Sequence, residues 1–159
     1  MRATLFIALC ALLVCSVAAD MSMAGSRRFL SQKSSEDKAR RCFNLWNKAL
    51  ATKKASVVTA RYKYGNKYGV LLPTLSNKVR RTKEGLEDYF KSFLKNSPQG
   101  KITELYASQK AGYTFASGLY DFTLTTDGKQ SLVPARFSYV FNKNCKIIQH
   151  HSSQMPEGN

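Results

Sequence analysis

Histidine is scarce in this sequence: the 159 residues contain only His150 and His151, side by side near the C-terminal end. A catalytic zinc site of the ordinary kind takes three protein ligands, often histidines, and one water molecule. Adjacent histidines in a strand point to opposite faces, so the sequence argues against a three-histidine zinc site within one chain. We also recognise no nucleophile motif, phosphate-binding loop or pair of catalytic carboxylates.

Long apolar runs are missing as well, since none reaches the ~20 residues that a transmembrane helix needs. The run at residues 3–17 follows Arg2 and precedes Ala18 and Ala19. This pattern predicts a secretory signal peptide over residues 1–19, and hence an extracellular protein without a membrane span. Residues 20–34 are basic and rich in small residues, and we expect a flexible lead there. Their composition resembles a transit peptide, so routing to a plastid through the secretory pathway is the alternative.

Cysteine is limited to four residues, and Cys10 and Cys15 would leave with the signal peptide. Cys42 and Cys145 remain in a chain that enters an oxidising compartment. A disulfide between them and two unpaired, packed thiols are both compatible with the sequence. We expect the two to lie near each other, because the helix with Cys42 should pack across the strand with Cys145.

Acidic residues number ten against 25 Lys and Arg, and the excess of positive charge is uneven. Residues 27–101 hold 19 Lys and Arg against 5 Asp and Glu. Such a field favours polyanions or anionic lipid surfaces, but scattered basic residues more often form a solvated exterior. No nucleic-acid-binding motif accompanies them, so no specific nucleic-acid partner is expected.

The periodicity of apolar residues changes from helical to strand-like after Gly100. Helices are predicted over residues 35–50, with Glu36 and Asp37 in the first turn, over 55–61, and after the N-cap residue Thr82. Strands are predicted over residues 70–72, 102–108, 113–125, 132–141 and 145–153. Helices followed by an antiparallel meander indicate an α+β fold, with N-terminal helices packed on a strongly curved sheet and a pocket between the two layers.

The last strand carries the two histidines. Because side chains alternate along a strand, Ile148, His150 and Ser152 share one face, and Gln149, His151 and Ser153 share the other. From the residues alone, two strand-end histidines, one solvated and one packed, are the simpler interpretation.

Several segments together resemble one known family. They are NLWNKALAT at residues 44–52, VLLPTLSNKVR at 70–80, DYF at 88–90, ARFSYVF at 135–141 and HHSSQMPE at 150–157. In this order they resemble the calcium/calmodulin-dependent kinase II association-domain type of the SnoaL-like, nuclear-transport-factor-2-like superfamily. Within it the sequence looks most like the iota-class carbonic anhydrases. The resemblance implies the cone-shaped fold of that superfamily over residues 35–157, and a homodimer or larger homo-oligomer.

For activity, the resemblance implies reversible hydration of carbon dioxide to bicarbonate, without a metal cofactor. Thr74, Tyr89 and Ser152 would orient and polarise a water molecule, and His150 would accept or relay its proton. Arg136 would hold bicarbonate by charge-assisted hydrogen bonds. Phe93 and Ile148 would wall the carbon dioxide slot.

Two departures from the family pattern, an alternative cofactor and two competing functions accompany this expectation. Gln149 stands where the iota class has a histidine, and Cys145 stands where a tryptophan is usual. Zinc or manganese is the alternative cofactor, as in some iota-class members. The competing functions are a non-catalytic association module of the same fold and a secreted basic protein that binds polyanions.

Overall fold

The computed structural model describes residues 2–63, 69–74 and 76–156. In chain order its elements are α1 (Arg2–Ala51), α2 (Ala55–Thr59), β1 (Val70–Leu72), α3 (Lys83–Phe93), a 3₁₀ turn (Leu94–Asn96), β2 (Gln99–Lys110), β3 (Tyr113–Thr126), β4 (Lys129–Phe141) and β5 (Ile147–Gln154). The chain divides into two compact units, Met1–Ser34 and Ser35–Asn159. The second unit contains the sheet and the helices packed on it.

Helix α1 is longer than the sequence indicated. It begins at Arg2, not near Ser35, so residues 20–34 are helical where a flexible lead was expected. Consequently Glu36 and Asp37 lie inside the helix and do not complement its N-terminal dipole. The signal peptide over residues 1–19 stays a prediction. Among the described residues, no helix is both long enough and apolar enough to cross a membrane.

The sheet has the strand order β1-β5-β4-β3-β2. Strands β2 to β5 form the expected antiparallel meander. The short strand β1 pairs in parallel with β5, which corrects the expectation of a wholly antiparallel sheet. Pairing is irregular between Ile102 and Glu104, opposite Leu119. Such a bulge bends a strand and increases its twist.

The core lies between the inner face of the sheet and α1, α2 and α3. Helix α1 contributes the apolar stripe that its periodicity predicted, and every member is buried: Ala39, Cys42, Phe43, Trp46, Ala49 and Leu50. Helix α3 begins after Thr82, whose side chain accepts from the Gly85 N–H as an N-cap. Leu86 and Phe90 of α3 are buried.

Two sets of bonds attach α1 to the sheet. The Asn47 amide donates to Gly100 O at 2.9 Å and accepts from Gly100 N at 2.8 Å. A Cβ at Gly100 would come within 2.9 Å of the Phe43 ring, so glycine permits this close approach. A Cys42–Cys145 disulfide joins α1 to the residues before β5, with 4.9 Å between the Cα atoms. The proximity of the two cysteines is confirmed, and the structure pairs them.

Candidate functional site

A cavity of about 260 Å³ lies between the inner face of the sheet and the helices. Its lining is mostly aromatic and aliphatic, and the polar lining groups come from a few side chains. Four of the five expected site residues line this cavity: Thr74, Tyr89, His150 and Ser152. Among the described lining residues no side chain carries a formal charge at neutral pH, so the cavity suits a small neutral molecule with a polar end.

Three hydroxyl groups form a chain at one side of the cavity. Tyr120 Oη donates to Ser152 Oγ at 2.6 Å, and Ser152 Oγ is hydrogen-bonded to Thr74 Oγ1. Two hydrogen bonds use two of the three hydroxyl protons, so one O–H donor remains, on Thr74 or on Ser152. Burial raises the pKa of Tyr120, and the phenol therefore keeps its proton and stays a donor. The chain can hold a water molecule or a substrate oxygen in one orientation.

His150 is buried beside this chain. Its imidazole stacks on Tyr139 with 4.1 Å between ring centroids and meets Trp46 edge-on at 5.3 Å. Burial lowers the pKa of His150 to about 3, and the neighbouring His151 acts in the same direction. The imidazole is therefore neutral at physiological pH and a weak base. The near-neutral pKa on which proton transfer to His150 was predicted does not hold in this environment.

Tyr89 lines the cavity from α3. Its ring stacks against Phe93 at 5.7 Å, and the Arg80 guanidinium carbon lies 6.0 Å from the ring centroid. Burial raises the pKa of Tyr89 to about 12, although Arg80 acts in the opposite direction. The phenol thus stays protonated and offers a neutral hydroxyl group to the site.

Arg136 does not reach the cavity, and its predicted role in the pocket is wrong. Along β4, Ala135 and Phe137 are buried whereas Arg136 is exposed. Its Nε donates to Ser153 Oγ at 3.2 Å on the outer face of the sheet. The reason is strand parity, since Ala135 and Phe137 fill the inner face on either side of Arg136.

The parity of β5 is also interrupted. Val140 pairs with Gln149 but the next residue, Phe141, pairs with Ile147, which leaves Ile148 as the extra residue of a bulge. Ile147 is buried in the core, and Ile148 is not among the described lining residues. Phe93 walls the cavity as expected, and Ile148 does not. His150 and Ser152 nevertheless face inward, while His151 is exposed.

The sequence did not indicate Tyr62, Tyr120 or Trp46 as site residues. Tyr120 and Phe122 are two residues apart in β3 and share its inner face, so strand parity predicts the inward direction of Tyr120. Its hydrogen bond to Ser152, however, depends on the register of two strands that are not adjacent in the sheet, β3 and β5. Tyr62 reaches the site through an isolated parallel bridge to Ile147. Ile147 N donates to Arg61 O at 2.8 Å and Lys63 N donates to Ile147 O at 2.9 Å. No periodic signal in the sequence indicates this bridge.

The side chains present do not fit a zinc or manganese ion. Within the described ranges, no three His, Cys, Asp or Glu side chains come together. Cys42 and Cys145 are joined in a disulfide, and Nδ1 of His150 is hydrogen-bonded to Tyr62. A disulfide sulfur is not the thiolate that zinc requires. We therefore derive no step through a metal, and a reaction without a cofactor stays a prediction.

Comparison with solved structures gives the family. A protein from Xanthomonas campestris, described as a calcium/calmodulin dependent protein kinase II association domain, is 41% identical to this chain. The match covers 76% of this chain and 88% of that chain, with a TM-score of 0.70. The chain belongs to the association-domain family. No protein-family model matches this association domain, and no curated protein matches it.

More distant structures share the fold of this association domain. A nuclear transport factor 2-like superfamily protein from Salmonella enterica matches at 12% identity, with a TM-score of 0.63, over 80% of this chain and 95% of that chain. The epoxide hydrolase/cyclase-like enzyme SalBIII of salinomycin pyran-ring formation matches at 11% identity, with a TM-score of 0.60. This match covers 76% of this chain and 93% of that chain. The expected nuclear-transport-factor-2-like fold is confirmed. That fold includes both enzymes and non-catalytic domains.

Proposed function

We propose that this association domain hydrates carbon dioxide reversibly to bicarbonate, as an iota-class-like carbonic anhydrase. The observation that carries the proposal is the hydroxyl chain Tyr120–Ser152–Thr74 in the wall of an otherwise apolar, uncharged cavity. The resemblance of HHSSQMPE and LLPTLSNKVR to the iota class supports it. No similar structure described above is named for this activity.

The reaction needs a water molecule held against an apolar slot. Thr74 and Ser152 bind the water, and the aromatic wall with Phe93 receives the apolar carbon dioxide molecule. The water oxygen attacks carbon, one C–O π bond breaks, and its electrons stay on the carbonyl oxygen. Bicarbonate forms, and one proton passes to the solvent buffer. Holding water and carbon dioxide in one geometry lowers the entropic part of the barrier.

The absence of a lining cation affects product release. Arg136 lies on the outer face, so the described lining offers only neutral donors to bicarbonate. Neutral hydrogen bonds are weaker than charge-assisted ones, and an anion leaves such a site readily. The arrangement therefore suits a neutral substrate, and it does not retain the charged product tightly.

Stopped-flow measurement of carbon dioxide hydration tests the proposal. The protein is dialysed against chelator, and half of the sample then receives zinc. We expect both samples to hydrate carbon dioxide above the buffer rate. If only the zinc-treated sample is active, the metal-free reaction is wrong. If neither sample is active, the domain does not hydrate carbon dioxide, and the second candidate replaces the first.

The second candidate is a non-catalytic association module that forms homodimers through the outer face of its sheet. It is favoured by large apolar side chains on that face: Tyr106, Phe115 and Leu132 are 63%, 43% and 64% exposed. Tyr106 pairs with Ser117 and so lies close to Phe115 across β2 and β3, and exposed apolar side chains grouped in this way commonly mark a protein–protein contact. Homodimerisation is also compatible with the first candidate, because the cavity lies on the opposite face of the sheet.

A further inference from the structure

Tyr62 and His150 form a buried pair whose hydrogen-bond direction decides what the imidazole can do. Tyr62 Oη lies 2.8 Å from His150 Nδ1, and the two side chains are 2% and 4% exposed. The rings are nearly parallel, 25° apart, with 6.2 Å between centroids. His150 lines the cavity, whereas Tyr62 is not among the described lining residues. The other ring nitrogen, Nε2, is buried and has no hydrogen-bond partner among the described residues.

The two possible directions of this hydrogen bond leave different numbers of buried polar groups unpaired. If Nδ1 carries the proton and donates to Tyr62, the phenol proton has no acceptor among the described residues, and Nε2 is an unpaired acceptor. If Tyr62 donates to Nδ1, its own proton is satisfied, and only the Nε2–H remains unpaired. A buried polar group without a partner is unfavourable, so the arrangement with fewer unpaired groups is preferred.

Tyr62 keeps the phenol proton that this direction requires. Burial raises the pKa of Tyr62 well above its usual value, so the phenol remains protonated. A phenol that keeps its proton can donate it to His150 Nδ1, the acceptor 2.8 Å away.

We infer that Tyr62 fixes His150 in the neutral tautomer whose proton lies on Nε2, and that His150 is a hydrogen-bond donor to the cavity. Tyr62 is then a positioning residue that acts through the imidazole. Since Tyr62 occupies Nδ1, Nε2 is the nitrogen left for a molecule at the inner end of the cavity. The kinetic part of this inference rests on the proposed function: the N–H would stabilise the oxygen on which negative charge develops during hydration.

Nitrogen NMR of the full chain with ¹⁵N-labelled histidine tests the tautomer without any assay of activity. His151→Gln assigns the two histidines. At neutral pH we expect His150 Nε2 to give a pyrrole-type, protonated signal and Nδ1 to give a pyridine-type signal. A protonated Nδ1 in the wild-type protein would overturn the inference, even if the protein is an active hydratase.

Two matched variants test the role of Tyr62. Tyr62→Phe keeps the ring and removes the donor to Nδ1, so the Nδ1-protonated tautomer should appear. Tyr139→Phe is the control, because its ring also stacks on His150 but its buried hydroxyl has no described partner. Its spectrum should retain the wild-type tautomer. An unchanged tautomer in Tyr62→Phe refutes the positioning role.

Kinetics provide the last comparison. In an active protein, kcat for Tyr62→Phe should fall about tenfold while KM changes less, as expected for a contact made mainly in the transition state. Tyr139→Phe should retain the wild-type kcat. A wild-type protein without activity refutes the proposed function and leaves the tautomer to the NMR measurement. An active wild type with unchanged kcat in Tyr62→Phe refutes the donor role of His150.

Discussion

At the scale of single residues, the site is built from neutral donors. Ser152 accepts from Tyr120 and is bonded to Thr74, His150 is neutral because it is buried, and Tyr89 keeps its proton. The sequence, through the resemblance and strand parity, indicated Thr74, Tyr89, His150 and Ser152, which line the cavity and whose roles in a reaction stay predictions. It misplaced Arg136, because a family pattern does not reveal which face the neighbouring residues of β4 fill.

Arg136→Ala should leave carbon dioxide hydration within about twofold of the wild-type rate, because exposed residues outside a site contribute little to its chemistry. The guanidinium lies on the outer face and donates to Ser153. Stopped-flow initial rates at several bicarbonate concentrations measure both the rate and product inhibition. A loss of more than tenfold in rate would mean that Arg136 reaches the reacting molecules after all.

His150 should make the protein less stable in acid. Its pKa is about 3 when folded, against 6.5 when exposed, so below pH 6.5 only the unfolded chain gains the proton. The contribution of His150 to the free energy of unfolding is therefore fully present above pH 6.5, and it is lost as the pH falls from 6.5 towards 3. Each unit of difference corresponds to about 1.4 kcal/mol, so the total is on the order of 5 kcal/mol.

Urea denaturation between pH 3 and pH 7 measures this contribution. The slope of unfolding free energy against pH should become shallower in His150→Gln over that range. His151→Gln is the matched control, because His151 is exposed and does not lose its hydration on folding. If both variants keep the wild-type slope, the folded imidazole binds its proton as readily as the unfolded one.

At the scale of elements, the strand bounds followed from the sequence, but two pairings and one bulge did not. The period-2 pattern gave β2 to β5 to within a few residues, and the Thr82 cap located the start of α3. The pairing of β1 with β5 and the bridge of Tyr62 to Ile147 join segments far apart in the chain. Neither pairing leaves a local periodic signal, and the bulge at Ile148 shifts side-chain parity without one.

The disulfide between α1 and the turn before β5 should be a large contributor to stability. It closes a loop across 103 residues, and loops of this size correspond to roughly 2–5 kcal/mol in the chain-entropy model. In protein expressed from residue 20, the Cys42→Ala, Cys145→Ala double variant should unfold at lower urea concentration than the wild type. Thiol titration of the unreduced wild type, also expressed from residue 20 and therefore without Cys10 and Cys15, should find no free thiol after unfolding.

The same change tests the connection between α1 and the cavity. Trp46, one helical turn after Cys42, lines the cavity and contacts His150. Asn47 still holds α1 to Gly100 in the double variant. We therefore expect the variant to lose stability and keep its activity at temperatures below its unfolding transition. Two titratable thiols in the unreduced wild type would contradict the disulfide.

At the scale of the whole molecule, fold and activity are separate questions. The fold follows from the change of period after Gly100 and is shared by structures only 11–12% identical to this chain. The proposed activity would depend on four side chains and their protons, which the fold does not determine. The excess of basic residues lies outside the described cavity lining and is not used by the proposed reaction.

We expect a homodimer in which the outer faces of two sheets meet. Phe115→Glu places a charge beside Tyr106, and Leu132→Glu places one farther along the same outer face, so each should convert the dimer to a monomer. Light scattering at tens of micromolar reports the mass. Val57→Glu on α2, at a position 37% exposed, is the control and should remain dimeric. A wild-type monomer at that concentration would contradict the expectation.

The most direct measurement is loss of ¹⁸O from labelled bicarbonate, followed by mass spectrometry at chemical equilibrium in chelator-treated protein. It reports interconversion of carbon dioxide and bicarbonate without requiring net proton release. In Ser152→Ala the rate of ¹⁸O loss should fall about 10²-fold, the usual effect of removing one preorganised hydrogen-bonding group. Ser153→Ala, whose hydroxyl lies on the outer face with Arg136, should exchange ¹⁸O at the wild-type rate. If Ser152→Ala exchanges as fast as Ser153→Ala, the hydroxyl chain does not carry the reaction.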